Sequence, residues 1–123
     1  IGNWEKSQGS AWMEKWLDEY PDEIELVISN NDDMALGAAD ALERKKITRP
    51  IKIVGIDGTP QGIEGLNSGK LFGTVQCDSD EYANAVFQIA AAAGLGQNVQ
   101  EIVSLEGGKY YNCRQTALTA DKN

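Results

Sequence analysis

Three short apolar runs in this chain end in side chains suited to holding hydroxyl groups. Ile24 to Ile28 leads into Asn30-Asn31-Asp32-Asp33, Ile51 to Ile56 into Asp57, and Leu71 to Val75 into Gln76-Cys77-Asp78. An amide such as Asn31 donates and accepts at once. An ionised Asp57 accepts from two hydroxyls, through charge-assisted hydrogen bonds about twice as strong as neutral ones. Ligands of open parallel sheets sit outside the carboxyl ends of the strands, so polar strand ends in succession describe one wall of a cleft. The chemistry this implies is recognition of something small and polar.

Composition narrows the field further. The chain has 123 residues, 41% of them apolar and 24% charged, which leaves room for one ordinary core and not for two full domains. A formal charge of −8 argues against nucleic acid or anionic lipid as partner, because both require a basic surface. With no histidine, His-based triads, His metal sites and histidine proton shuttles are excluded. No activated nucleophile or general base is in view, so the chain is read as a binder and not an enzyme. Cys77 and Cys113 match neither a disulfide framework nor a zinc spacing. The chain starts at Ile1 without Met and carries nothing resembling a signal peptide, so it is expected to be a piece of a longer, processed protein.

The elements that must position these residues alternate. Glu5 to Tyr20 has helical spacing and stops at Pro21, with Trp12 and Trp16 expected in the core. A strand from Ile24 is followed by a helix capped by Asn or Asp and closed by Arg44-Lys45-Lys46. Ile51 to Ile56 reads as a strand covered on both faces. Thr59-Pro60 opens a short helix ending at Gly69, and Leu71 to Val75 is the third strand. Asp78 to Glu81 resembles a capping box for the alanine-rich helix that Gly94 and Gly96 close. Glu101 to Leu105 and Tyr110 to Leu118 are expected as two strands around Gly107-Gly108. The fold class is α/β, a parallel sheet with helices on both faces.

Trp4, Ile24 to Gly37 (IELVISNNDDMALG), Ile53 to Pro60 (IVGIDGTP) and Gly73 to Asp78 (GTVQCD) occur in an order that resembles the carboxyl-terminal part of the periplasmic sugar-binding proteins of ABC transporters, the glucose/galactose binders above all. The resemblance implies one lobe, plus part of the other, of a type I periplasmic-binding-protein fold. Residues 1–77 would form the ligand-binding lobe. Residues 78–123 would form the hinge crossing, a helix and terminal strands belonging partly to the other lobe. Trp4 matches the tryptophan that stacks on a pyranose face, and Asn31 and Asp57 match an amide and a carboxylate that bind ring hydroxyls. Cys77 falls where these proteins place an amide, a departure that leaves the sugar undecided. Glu25 matches a glutamate of a calcium site whose other ligands come from an upstream loop. One carboxylate falls far short of about six to eight oxygens, so the site is incomplete in this chain and no other cofactor is implied.

The function so implied is that of a non-enzymatic monosaccharide receptor, periplasmic or lipid-anchored outside the membrane, whose two lobes close by hinge bending and dock on a membrane permease. Taken alone, the chain is expected to bind sugar weakly, and its exposed sheet edges to favour a homodimer. Two alternatives stand beside this reading. A LacI-type repressor's effector domain shares the fold. A phosphoacceptor receiver domain would use Asp32, Asp33 and Asp57 to hold Mg²⁺, although receivers separate these acids by two βα units and only one intervenes here.

Overall fold

The computed structural model describes residues 1–120. It is an α/β fold whose sheet is mostly parallel, in two compact units: residues 1–76 with 117–120, and residues 77–116. Residues 117–120 thus return to the first unit, and the sequence reading assigns residues 78–123 to a hinge crossing, a helix and terminal strands that belong only partly to the other lobe; residues 121–123 of that segment lie outside the described residues.

The first unit contains α1 (Lys6–Glu19), β1 (Leu26–Ile28), α2 (Asp32–Arg44), β2 (Lys52–Asp57), α3 (Pro60–Asn67) and most of β3 (Gly73–Cys77). Strand order is β1-β2-β3-β4, with β4 spanning Gln115–Thr119; β1 with β2 and β2 with β3 pair in parallel. Met13 and Leu17, one helical turn apart on α1, pack with Ala35, Leu36, Ala38, Ala39 and Ala41 of α2, Val27 of β1, Ile53 of β2 and Leu71. Small residues let the helices meet closely, and a Cβ at Gly37 would overlap the Lys6 carbonyl. On β2 the face bearing Ile53 and Gly55 is buried, while Val54 and Ile56 keep partial exposure, so this strand is less evenly covered than its composition suggests.

Three expectations need correction. Trp16 is 40% exposed and Trp12 half-buried, because Met13 and Leu17 already occupy the stripe of α1 that faces α2; the two indoles pack on each other with centroids 6.1 Å apart. The third strand begins at Gly73, not Leu71. Leu71 is spent closing α3, its N–H donating to the Gly65 carbonyl and its side chain fully buried, and only at Phe72 does the chain reach β2. Glu101 to Leu105 is not a strand.

That last difference belongs to the second unit, which holds α4 (Ser79–Gly94) and a single helical turn, α5 (Val99–Ile102). Asn98 accepts from the Gln100 N–H at 3.2 Å and so turns the chain into a helix where strand-forming residues follow. The expected hairpin shrinks to one antiparallel bridge, Glu106 to Tyr110. Asp78 caps α4 by accepting from the Glu81 N–H at 3.0 Å, and Arg114 pairs with the same carboxylate at 2.7 Å. These contacts hold the Asp78 carboxyl below its ordinary range, the backbone N–H of Glu81 contributing most and Arg114 next.

Met13→Ala, at a fully buried site, should cost about 2–5 kcal/mol in denaturant unfolding. Trp16→Ala should cost clearly less despite the larger side chain; equal losses would contradict the assignment of the core.

Candidate functional site

The parallel register brings the carboxyl ends of the strands together, Ile28 beside Val54 and Asp57 beside Gln76. Beyond β1 the Ser29 hydroxyl donates to the Asn31 carbonyl at 2.9 Å and folds the chain into α2. Asn31 is the N-cap. Its Oδ1 accepts from the Met34 N–H at 3.0 Å, and its Nδ2 donates to the Trp4 carbonyl, also at 3.0 Å. The amide is 7% exposed and keeps one donor and one acceptor position beyond these two bonds. One side chain therefore starts a helix and pins the segment that carries Trp4, a residue 64% exposed.

Asp57 ends β2 with its side chain exposed. Partial burial pushes its carboxyl above the ordinary value, and the negative charges of Asp32 and Asp33 push it further the same way. Trp4 and Asp57 are two of the four non-glycine residues with positive φ among the described residues, the others being Asn3 and Lys46. Trp4 has φ +63° and Asp57 φ +110°, in the region that side chains avoid, at a cost of about 1–3 kcal/mol each. Gly58 follows at φ +65°, where a Cβ would stand 2.6 Å from the Gln76 Cβ. Trp4 and Asp57, selected from sequence for ligand contact, are thus held in strained conformations.

Sequence reasoning missed the residue behind them. Asp32 is fully buried, its Oδ2 accepting from the Thr59 N–H at 2.8 Å and hydroxyl at 3.2 Å, its Oδ1 from the Thr74 hydroxyl at 2.6 Å. Both carboxylate oxygens point into the protein. Asp32 is therefore not a metal ligand paired with Asp33, and the receiver-domain arrangement fails on that geometry. The structure shows that Gly55 and Gly62, seven residues apart, clear the space that the Asp32 carboxylate occupies.

Cys77, half-buried with a free thiol, opens the second unit. Cys113 is also a free thiol, with Sγ 3.4 Å from the Asp78 carbonyl oxygen. Glu25 is exposed just before β1, and among the described residues no cluster of three or more His, Cys, Asp or Glu could hold a metal. A cleft of about 390 Å³ lined by Trp12, Trp16, Ile28 and Met34 includes none of Trp4, Asn31 and Asp57.

The double engagement of Asn31 is testable. Asn31→Ala should lose about 1 kcal/mol of stability with the cap. Asn31→Asp, which retains an oxygen acceptor, should keep most of that stability while releasing the Trp4 carbonyl. Unfolding curves of both variants would show this, and equal losses would contradict separate roles for the two amide atoms.

Residues 1–98 match the family described as periplasmic binding protein domain. The chain is 34% identical over 101 residues to the D-galactose/methyl-galactoside binding periplasmic protein MglB of Haemophilus influenzae, covering 81% of this chain and 30% of that protein. It is 33% identical over 98 residues to the ribose import binding protein RbsB of Escherichia coli, covering 80% of this chain and 32% of that one. Among solved structures, an ABC transporter solute-binding protein from Bacillus halodurans with bound myo-inositol aligns with TM-score 0.70 and 38% identity, over 76% of this chain and 32% of the other. One from Actinobacillus succinogenes with bound D-allose aligns with TM-score 0.80 and 26% identity, over 98% of this chain and 39% of the other. The chain spans about a third of the length of these relatives. Sequence match, parallel sheet and superposition agree, and the chain belongs to the periplasmic binding protein domain family.

Proposed function

We propose that this chain is part of a solute-binding protein that captures a monosaccharide or related polyol outside the cytoplasmic membrane and presents it to an ABC permease. The observation that carries the reading is the pairing of an exposed indole with a polar strand end. Asn31 ties Trp4 to the carboxyl end of β1, and the register sets Asp57 at the end of β2. A sugar offers an apolar C–H face to the indole and a rim of hydroxyls to an amide and a carboxylate. The work is binding and release, without chemistry on the sugar.

Within that class, the finer reading is a glucose- or galactose-like hexose. The likeness to a galactose-binding protein supports it, and the ribose- and inositol-binding relatives mark the range of competitors. Cys77, matched by the resemblance to a ligand amide, carries a thiol that makes a weaker hydrogen bond to a hydroxyl than an amide would. Any calcium site involving Glu25 would depend on ligands from outside this chain. Those relatives are all solute-binding proteins, which favours a transport receptor over a repressor's effector domain.

Calorimetric titration of D-galactose, D-glucose, D-ribose and myo-inositol tests the proposal. It should be run on the protein that contains this chain and on the chain alone. The longer protein should bind at least one of these tightly and the chain alone weakly or not at all. Trp4→Ala and Asp57→Asn in the longer protein should each weaken binding about ten-fold or more. If Asp57 must be ionised, affinity is full above its raised titration point and falls as the pH drops through it. The loss should therefore begin above the ordinary carboxylate value of 3.8. Binding unchanged by both substitutions would contradict the site.

A further inference from the structure

We propose that Asp32 is a positioning residue for the ligand site: its buried carboxylate grips Thr59 and so holds the Asp57–Gly58 turn in the left-handed conformation that presents Asp57. The inference rests on the reading of Asp57 as a ligand-binding group. It adds a residue that touches no ligand and reaches Asp57 through the backbone.

The turn needs such a restraint. Two successive residues, Asp57 and Gly58, have positive φ, and at Asp57 no glycine relieves the cost. A strained conformation persists where its surroundings over-determine it. Thr59, immediately after the turn, is fixed by three hydrogen bonds. Its N–H and hydroxyl donate to Asp32 Oδ2, and its Oγ1 accepts from the Gly62 N–H at 3.0 Å, capping α3. On the other side Thr74 of β3 donates to Asp32 Oδ1. Asp32 thus joins the start of α2, the β2–α3 turn and β3 into one hydrogen-bonded unit.

The surrounding sequence makes room for it. A Cβ at Gly55 would overlap Asp32 Oδ1, and one at Gly62 would overlap Oδ2. Neither side chain could be added without displacing the carboxylate. The run from Gly55 to Gly62 therefore combines the exposed Asp57 with the space and donors that a second, buried carboxylate requires. Burial is affordable because all three donors are fixed and the carboxylate lies in the first turn of α2, where the helix dipole favours negative charge. Among the described residues the charged groups facing Asp57 are Asp32 and Asp33 of α2, and its partner across the ladder is the neutral Gln76.

The test compares Asp32→Asn, Thr59→Val and Thr59→Ser in the protein that contains this chain, labelled with ¹³C-aspartate. Asp57 Cα and Cβ shifts report its backbone angles, its carboxyl shift reports its titration, and D-galactose and D-ribose serve as binding probes. Asp32→Asn should move the Asp57 backbone shifts, lower the Asp57 titration midpoint and weaken sugar binding about ten-fold or more. It should weaken binding no further once Asp57→Asn is present. Thr59→Ser, which keeps both donors, should behave like the parent. If Asp32→Asn fails to fold, Thr59→Val decides: moved Asp57 shifts support the proposal and unmoved ones overturn it. Asp32→Asn that lowers stability while leaving Asp57 shifts and affinity intact would overturn it as well. If neither sugar binds the parent, the assignment of the ligand fails, while the Asp57 shifts still decide the positioning role.

Discussion

A carboxylate taken out of water has to be met by donors, and Asp32 finds its donors on the turn after β2 and on strand β3. Thr59 supplies two and Thr74 the third, from stretches 27 and 42 residues further along the chain. Leaving such a group without partners costs several kcal/mol, so the start of α2, the turn after β2 and the strand β3 have to take up their relative positions together. The placement of the candidate site follows from that demand. Asn31, the residue before Asp32, caps α2 and fixes Trp4, while Asp57 lies two residues before Thr59.

The first unit thus uses similar polar groups in opposite ways. Asp32 is buried and fully engaged, and Asp57 is exposed, with Asp32 and Asp33 the charges that act on it among the described residues. Asn31 spends half of its hydrogen-bonding capacity on structure and retains the other half. Trp4 leaves most of its surface in water, although burying an aromatic side chain is ordinarily a large stabilising contribution. An exposed tryptophan, a carboxylate beside two like charges and two strained backbones are each unfavourable in isolation. On the proposed reading they form a surface prepared for a ligand, supported by a core from Met13 to Leu71 that contains none of these features.

The elements were legible where local signals were strong. Thr59-Pro60 at the start of α3 and Asp78 ahead of α4 cap helices as their spacing implies, because capping chemistry is local. The tryptophans of α1 misled, since their size suggests burial while the helical stripe was already filled by Met13 and Leu17. Strand-forming residues after Asn98 misled too, a cap overriding propensity. At the site, Asn31 and Asp57 could be picked out because each ends an apolar run. Asp32 ends the same run as Asn31, but its buried role was not legible there, because its donors are remote in sequence and a buried aspartate looks the same in a sequence as a solvated one. The positive φ of Trp4 and Asp57 likewise has no sequence signature, neither being glycine.

The central claim is that Trp4, Asn31 and Asp57 address one ring. A crystal structure of the protein that contains this chain, grown with the tightest-binding sugar of the titration series, tests it most directly. The account requires the Trp4 indole against the C–H face of the sugar, with Asn31 and Asp57 within hydrogen-bond distance of its hydroxyls. A sugar bound with Trp4 and Asp57 both out of contact would contradict it.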